Sequence, residues 1–246
     1  MILRPPRRRG AERIELMDAG AGSPDEIVEA YRLLDQVNHR LGGYRLTGEV
    51  FLPLARSGSG SIEILDVACG SGRFAARMAR WARAVGRDPR VFVVDRSPIA
   101  LAGSRGETGE RPAAIRADAL ALPFLDRAVD VVHCSCFFHH LSTAGARDLL
   151  AEMCRVSRRA VIVNDLVRSR VAAAAIWTLS RALTDNRLVR ADGPLSVLKA
   201  FLPRELLAIA LAVGASDHPG FRWRIRDGFP YRMALVGVRV DHGAGS

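Results

Sequence analysis

The chain has 246 residues, 49% of them hydrophobic, which is enough for one sizeable core, yet no apolar run approaches the ~20 residues that a membrane-spanning helix needs. Its net charge of +10 is almost entirely arginine, Lys199 being the single lysine, so the excess reflects compositional bias as much as a polyanionic partner and speaks only weakly for nucleic acid. Cys69, Cys134, Cys136 and Cys154 form no C-x-x-C pair and no histidine-spaced set, so free buried thiols, no metal and a cytoplasmic protein are expected.

The arginine- and proline-rich start lacks the apolar stretch of a secretory signal and reads as a basic disordered tail over residues 1–20. Ile27, Val28, Tyr31, Leu34, Val37 and Leu41 then follow helical spacing until Gly42-Gly43 stops it, and a second short helix fits Thr47–Leu54. Together these form a helical lid over residues 21–56, followed by a flexible Ser-Gly connection. Strand one is Ile62–Val67, an apolar run of the kind buried on both faces. It breaks at Ala68-Cys69-Gly70-Ser71-Gly72 into a helix through Ala75, Met78, Ala79 and Ala82. Strand two is Val91–Asp95, with Ser97-Pro98 opening a helix to Ser104; strand three is Ala113–Arg116; strand four is Val129–Cys134, before a helix over Thr143–Arg155. Strand five is Ala160–Asn164. Strands separated by helices imply right-handed crossovers and a mostly parallel sheet covered on both faces.

Beyond Asp165 the pattern changes. Val171–Leu183 reads as a long apolar helix, Ala191-Asp192-Gly193-Pro194 as a turn, and Pro203–Val213 as a helix. Phe221–Ile225 and Met233–Val240 are strand-like with no crossover helix between them, so they should pair as an antiparallel hairpin at the sheet edge. One domain over residues 21–246 results, with a nucleotide-binding core at 62–165 and an insert at 166–202.

Strand, glycine turn and helix in that order direct backbone N–H groups and a helix N-terminus into one crevice. Small residues at Ala68, Gly70 and Gly72 let a ligand lie against the main chain, and Asp66 at the strand end can accept from an amine or hydroxyl. Asp95, ending strand two, lies where one carboxylate accepts from two vicinal ribose hydroxyls; Asp118 after strand three can accept from an adenine amino group. Taken singly, Asp95 is also a helix cap and Asp118 a solvated loop residue. His133 falls within strand four and reads as a satisfied core residue, while Tyr31 and His39 lie on the lid helix.

Asp66–Gly72, Asp95, Asp118-Ala119 through Leu122-Pro123-Phe124, Asp130 and Phe138-His139-His140-Leu141 resemble class I S-adenosylmethionine-dependent methyltransferases. The resemblance lies with their small-molecule branch, the ubiquinone/menaquinone-type enzymes and their O-methylating relatives. It covers about Ile62 to Asp165, and Ala68 stands where the first glycine of the turn is usual. The fold it implies is α/β, a Rossmann-like three-layer sandwich around a seven-stranded, mostly parallel sheet with an antiparallel C-terminal hairpin. It implies S-adenosylmethionine as cofactor and S-adenosylhomocysteine as product. The methionine part would lie on Asp66, Ala68, Gly70 and Gly72, the ribose on Asp95 and the adenine beside Asp118 and Ala119, with Arg96 and Cys134 completing the set.

Methyl transfer to a hydroxyl needs alignment and a base, and histidine suits neutral pH. His139 follows strand four and Asp165 follows strand five, on one sheet edge, so His139 is expected as base with Asp165 orienting it or binding the acceptor. A structural role for the His-His-Leu turn stays open. The apolar insert, with Ile176, Trp177, Leu179 and Leu183, favours an aromatic or lipidic acceptor. Asn164-Asp165-Leu166 and the Asp192–Ser196 stretch also resemble methyltransferases associated with type III polyketide synthases. Against a nucleic-acid methyltransferase stand the lack of an Asn/Asp-Pro-Pro-aromatic loop, Ser135-Cys136-Phe137-Phe138 taking its place, and of a proline before Cys136. A non-catalytic cofactor-binding subunit is a second alternative, and the oligomeric state, a homodimer included, is left open.

Overall fold

Ile62, Ile64, Leu65 and Val67 are fully buried, and the strand they form, β1 (Ser61–Val67), is hydrogen-bonded on both sides. The computed structural model describes residue 7 and residues 14–104 and 112–240. β1 pairs in parallel with β2 (Asp88–Asp95) and β4 (Val129–Ser135); β3 (Ala113–Arg116) lies outside β2 and β5 (Ser157–Leu166) outside β4. β7 (Arg232–Arg239) runs antiparallel against β5, with β6 (Phe221–Gly228) antiparallel beyond it, giving the order β3-β2-β1-β4-β5-β7-β6. The expected seven-stranded sheet with its antiparallel hairpin is therefore present. Chain direction across the sheet reverses between β1 and β4, so a crevice opens there at the carboxyl ends of the strands.

Alternation along the strands builds two core layers. Ile62, Ile64, Val131 and Ile162 pack with Val50 and Phe51 of α2 (Gly43–Arg56) and Met78 of α3 (Arg73–Ala84). Leu65, Val67, Val132 and Val161 face Leu149 and Met153 of α5 (Thr143–Val156) and Leu206 of α8 (Pro203–Ser216) on the opposite side. α4 (Pro98–Ser104) lies between β2 and β3 in sequence. α1 (Pro24–Arg40) begins at a capping box in which Ser23 and Glu26 satisfy each other's backbone amides, with Pro24 in the first turn. Gly42 takes a left-handed φ of 76° between α1 and α2, and a Cβ there would lie 2.4 Å from the Phe229 carbonyl.

Two expectations are corrected. Ala191–Pro194 is not a turn but the middle of α7 (Arg187–Lys199), which packs on α6 (Arg170–Leu183). Asn186 caps α7 by accepting from the amides of Leu188 and Val189. Gly193 is small because α6 passes close, a Cβ there lying 3.0 Å from Ile176. Pro194 removes one helical hydrogen bond, a defect of about 3 kcal/mol that tertiary packing outweighs. The second correction concerns the tail: residues 1–6 and 8–13 lie outside the described residues, but Ile14–Gly20 is folded against α7. The Leu16 and Met17 amides donate to the Asp192 carboxylate at 2.8 and 3.1 Å, and Glu15 is buried.

Candidate active site

The turn after β1 is held in left-handed conformations, with φ of 52° at Ala68, 52° at Gly70 and 68° at Gly72. Glycine is required at Gly72, where a Cβ would stand 2.6 Å from the Ser104 side chain of α4. Ala68 adopts the same region at about 1–2 kcal/mol, strain that the surrounding hydrogen bonds sustain. Asp66 is 1% exposed; its Oδ1 takes a 2.7 Å hydrogen bond from His133 and its Oδ2 has no partner among the described residues. A buried carboxylate oxygen left unmatched costs about 1–3 kcal/mol or more, so the site suits a donor arriving with a ligand. His133 is thus the satisfied core residue expected from its strand position, and its partner is Asp66 itself.

Asp95 receives Gly70 N–H on Oδ2 and Ser97 N–H on Oδ1, both at 2.9 Å, tying the glycine turn to the end of β2. Burial pushes its carboxyl up while the amides of Ser97, Gly70 and Arg96 pull it down. Each oxygen keeps a lone pair for a further donor. Asp118 is exposed and accepts the Leu120 amide at 3.0 Å, and Ala119 beside it is buried. Arg96 points to solvent; its carbonyl accepts from Arg116. The Cys134 side chain is fully buried in the core with Val67 and Val132, so the crevice can meet only its main chain. Tyr31 of α1 packs over the turn, its ring 3.2 Å from where a Gly70 Cβ would be, and burial followed by the nearby Asp95 raises its hydroxyl. His39 faces solvent.

His139 and Asp165 do meet. A single 3-10 turn, Phe138–His140, follows β4 and presents His139 to the end of β5. Nδ1 of His139 lies 2.7 Å from Asp165 Oδ1, and the His139 amide donates to Oδ2 at 2.9 Å, so one carboxylate holds both ring and backbone. The Leu166 amide adds a 2.7 Å bond. Burial alone would lower His139, but Asp165 and then Glu15 raise it to about 9. Burial alone would raise Asp165, yet His139 and the two amides hold it below the usual carboxylate range. With Nδ1 engaged, Nε2 is the ring atom left for chemistry.

Glu15 escaped the sequence reading. Its carboxylate lies 4.0 Å from His139 Nε2, accepts from Lys199 Nζ and Ser196 Oγ at 3.0 Å each, and stands 3.6 Å from His140 Nε2. Arg232 was missed too. It is 3% exposed at the start of β7 and donates to Asn38 Oδ1 at 2.6 Å, Cys136 Sγ at 3.4 Å and Asn164 Oδ1 at 3.5 Å. No carboxylate pairs with it among the described residues. Cys136 beside it has a left-handed φ of 53°.

Residues 64–160 match the family described as "Methyltransferase domain". None of the curated proteins compared with the chain matches it. Among solved structures, the chain is similar to a SAM-dependent methyltransferase from Aquifex aeolicus at 17% identity and TM-score 0.60, covering 89% of this chain and 100% of that one. It is similar to magnesium protoporphyrin IX methyltransferase from Synechocystis PCC 6803 with bound SAH at 16% identity and TM-score 0.55, covering 94% and 90%. The plantazolicin methyltransferase BpumL, in complex with a monoazolic desmethylPZN analog and SAH, aligns at 12% identity and TM-score 0.64, covering 86% and 90%.

Proposed function

We propose that this chain, an S-adenosylmethionine-dependent methyltransferase by its matched domain and its fold, methylates a hydroxyl of an aromatic or lipidic small molecule. The observation that carries the hydroxyl assignment is the His139–Asp165 pair, 2.7 Å apart where β4 and β5 end. Bound cofactor supplies an electrophilic methyl on a cationic sulfonium. The chain's own residues then position and deprotonate. Asp66 Oδ2, the unmatched buried acceptor, would receive the cofactor's amino group, and Gly70 and Gly72 would admit its methionine part against the backbone. Asp95 would take the ribose hydroxyls on its remaining lone pairs, with Asp118 and Ala119 holding the adenine. With a hydroxyl acceptor, the proton released on methylation would pass to Nε2 of His139. Asp165 fixes the tautomer and stabilises the imidazolium that results.

Apolar side chains of α6 and α7, Ile176, Val197 and Leu198 among them, cluster with Leu166 one residue beyond Asp165, which favours an apolar acceptor over a sugar. The magnesium protoporphyrin IX methyltransferase and the plantazolicin methyltransferase, each named for a small-molecule acceptor, support that class. The test is methyl-labelled cofactor with phenolic, quinol and lipid-like hydroxyl acceptors, set against RNA in parallel. Label in an ether product fits the proposal. Label only in RNA, or cofactor binding with no transfer to any acceptor, sinks it.

A further inference from the structure

We propose that Glu15, His139 and His140 bind one divalent transition-metal cation, with zinc the first candidate, clamping the Ile14–Gly20 segment onto the turn after β4. One ligand atom from each of the three residues lies within 4.8 Å of the others. Nε2 of His139 is 4.0 Å from Glu15 Oε1 and Nε2 of His140 is 3.6 Å from Oε2, with the two rings 4.3 Å apart. Small side-chain shifts bring such a set to the ~2 Å bonds of a tetrahedral zinc centre.

A second observation concerns the opposite ring nitrogens. Nδ1 of His139 meets Asp165 at 2.7 Å, and Nδ1 of His140 meets Asp18 at 2.5 Å. A carboxylate on Nδ1 fixes the proton there and turns a basic Nε2 lone pair the other way, the support that metal-bound imidazoles ordinarily have. Here both Nε2 atoms face one glutamate. Lys199 and Ser196 each engage one oxygen of Glu15 at 3.0 Å, which orients the carboxylate and leaves each oxygen a free lone pair. Two imidazoles and one carboxylate leave a fourth position open, a donor set that suits zinc and also takes cobalt or nickel.

One consequence rests on the proposed function: the cation takes the same Nε2 that would receive the acceptor's proton, so occupancy and hydroxyl methylation exclude each other. The site itself does not depend on that reading. The experiment uses full-length protein, stripped with chelator and dialysed, without cofactor or acceptor. Zinc chloride is titrated by calorimetry, and cobalt chloride is followed by visible absorption. One cation per chain is expected, with the cobalt spectrum of a nitrogen–oxygen site free of thiolate charge transfer. Glu15→Gln and His140→Gln should each abolish uptake, and Asp18→Asn should weaken it by about 10–100-fold. If His140→Gln alters the circular dichroism of the fold, Asp18→Asn at the more exposed position decides.

No uptake by the unaltered chain, a thiolate band, or uptake unchanged in Glu15→Gln and Asp18→Asn would each overturn the clamp. Calorimetry with S-adenosylhomocysteine on the same protein separates the two ideas. Binding of that compound without zinc uptake retires the clamp alone, and zinc uptake without that compound retires the methyl-transfer reading alone.

Discussion

Nδ1 of His133 lies 2.7 Å from Oδ1 of Asp66, and neither side chain meets solvent. The histidine thereby anchors the carboxylate that the cofactor's amine is proposed to use, while its own Nε2 faces Thr47 Oγ1 of α2 at 3.4 Å. His133 is a positioning residue in this scheme, since it touches one oxygen of Asp66 and leaves the other without a partner among the described residues. His133→Phe should weaken S-adenosylhomocysteine binding about 5-fold, the effect of losing one net hydrogen bond of ~1 kcal/mol, with the fold retained. Asp66→Asn, which removes the charge as well, should cost more. Calorimetry with both variants checks the order; a His133→Phe protein that binds as well as the unaltered chain would show that Asp66 needs no anchor.

Asp95 and Asp118 should differ in consequence. Asp95 is partly buried and bridges Gly70 and Ser97, so Asp95→Ala removes ligand acceptors and the tie between turn and strand together. A fall in cofactor affinity of roughly 10–100-fold follows from losing charge-assisted hydrogen bonds of about 1.5–3 kcal/mol. Asp118 is exposed and already serves its own turn through Leu120, so Asp118→Ala should lose less than ~10-fold. Equal losses in the two variants would undo the ribose assignment.

Much of this arrangement was legible in the chain because strands buried on both faces appear as short, mostly apolar runs. Ile62–Val67 and Val129–Cys134 needed only their composition to be placed, and the residues that follow such strands must emerge on one edge. That topological fact is why His139 and Asp165, distant in sequence, could be paired in advance. Ala191–Pro194 went wrong for a local reason: glycine and proline together signal a turn, whereas here the glycine answers the nearness of Ile176. Glu15 and Arg232 were invisible for a non-local one. A glutamate in an arginine-rich stretch and an arginine before an apolar strand carry no pattern. Only the fold brings them to Lys199, His139 and Asn164.

His139→Ala should lower kcat by about 10²–10⁴, the usual contribution of a positioned general base, with cofactor affinity unchanged because the residue lies outside the proposed cofactor contacts. Asp165→Asn should fall in the same direction, since an amide cannot stabilise the imidazolium and disturbs the tautomer. It also loses charge from the carboxylate that holds the 139 and 166 amides, so its melting temperature should drop more than that of His139→Gln. Label transfer to the best acceptor gives the rates, and thermal melting separates the structural share. Near-normal turnover in His139→Ala would leave the pair a purely structural cap.

The same pair sets opposite pH slopes for stability and rate. Burial opposes protonation of His139, but Asp165 and Glu15 prevail and hold it at about 9, above the ordinary 6.5. A folded value above the unfolded one means that the proton stabilises the fold. That contribution is complete below about 6.5 and disappears as pH rises through about 9. Asp165, held below its ordinary 3.8, contributes in the other sense, and its share is lost on acidification. Turnover requires the unprotonated ring, so kcat should climb over the interval in which stability declines. In chelator-treated protein, thermal melting and label transfer between neutral pH and about 9 should show the two trends crossing, and His139→Gln should flatten the melting profile there. A rate that is flat across that interval while the melting temperature falls would mean that His139 titrates without serving as the base.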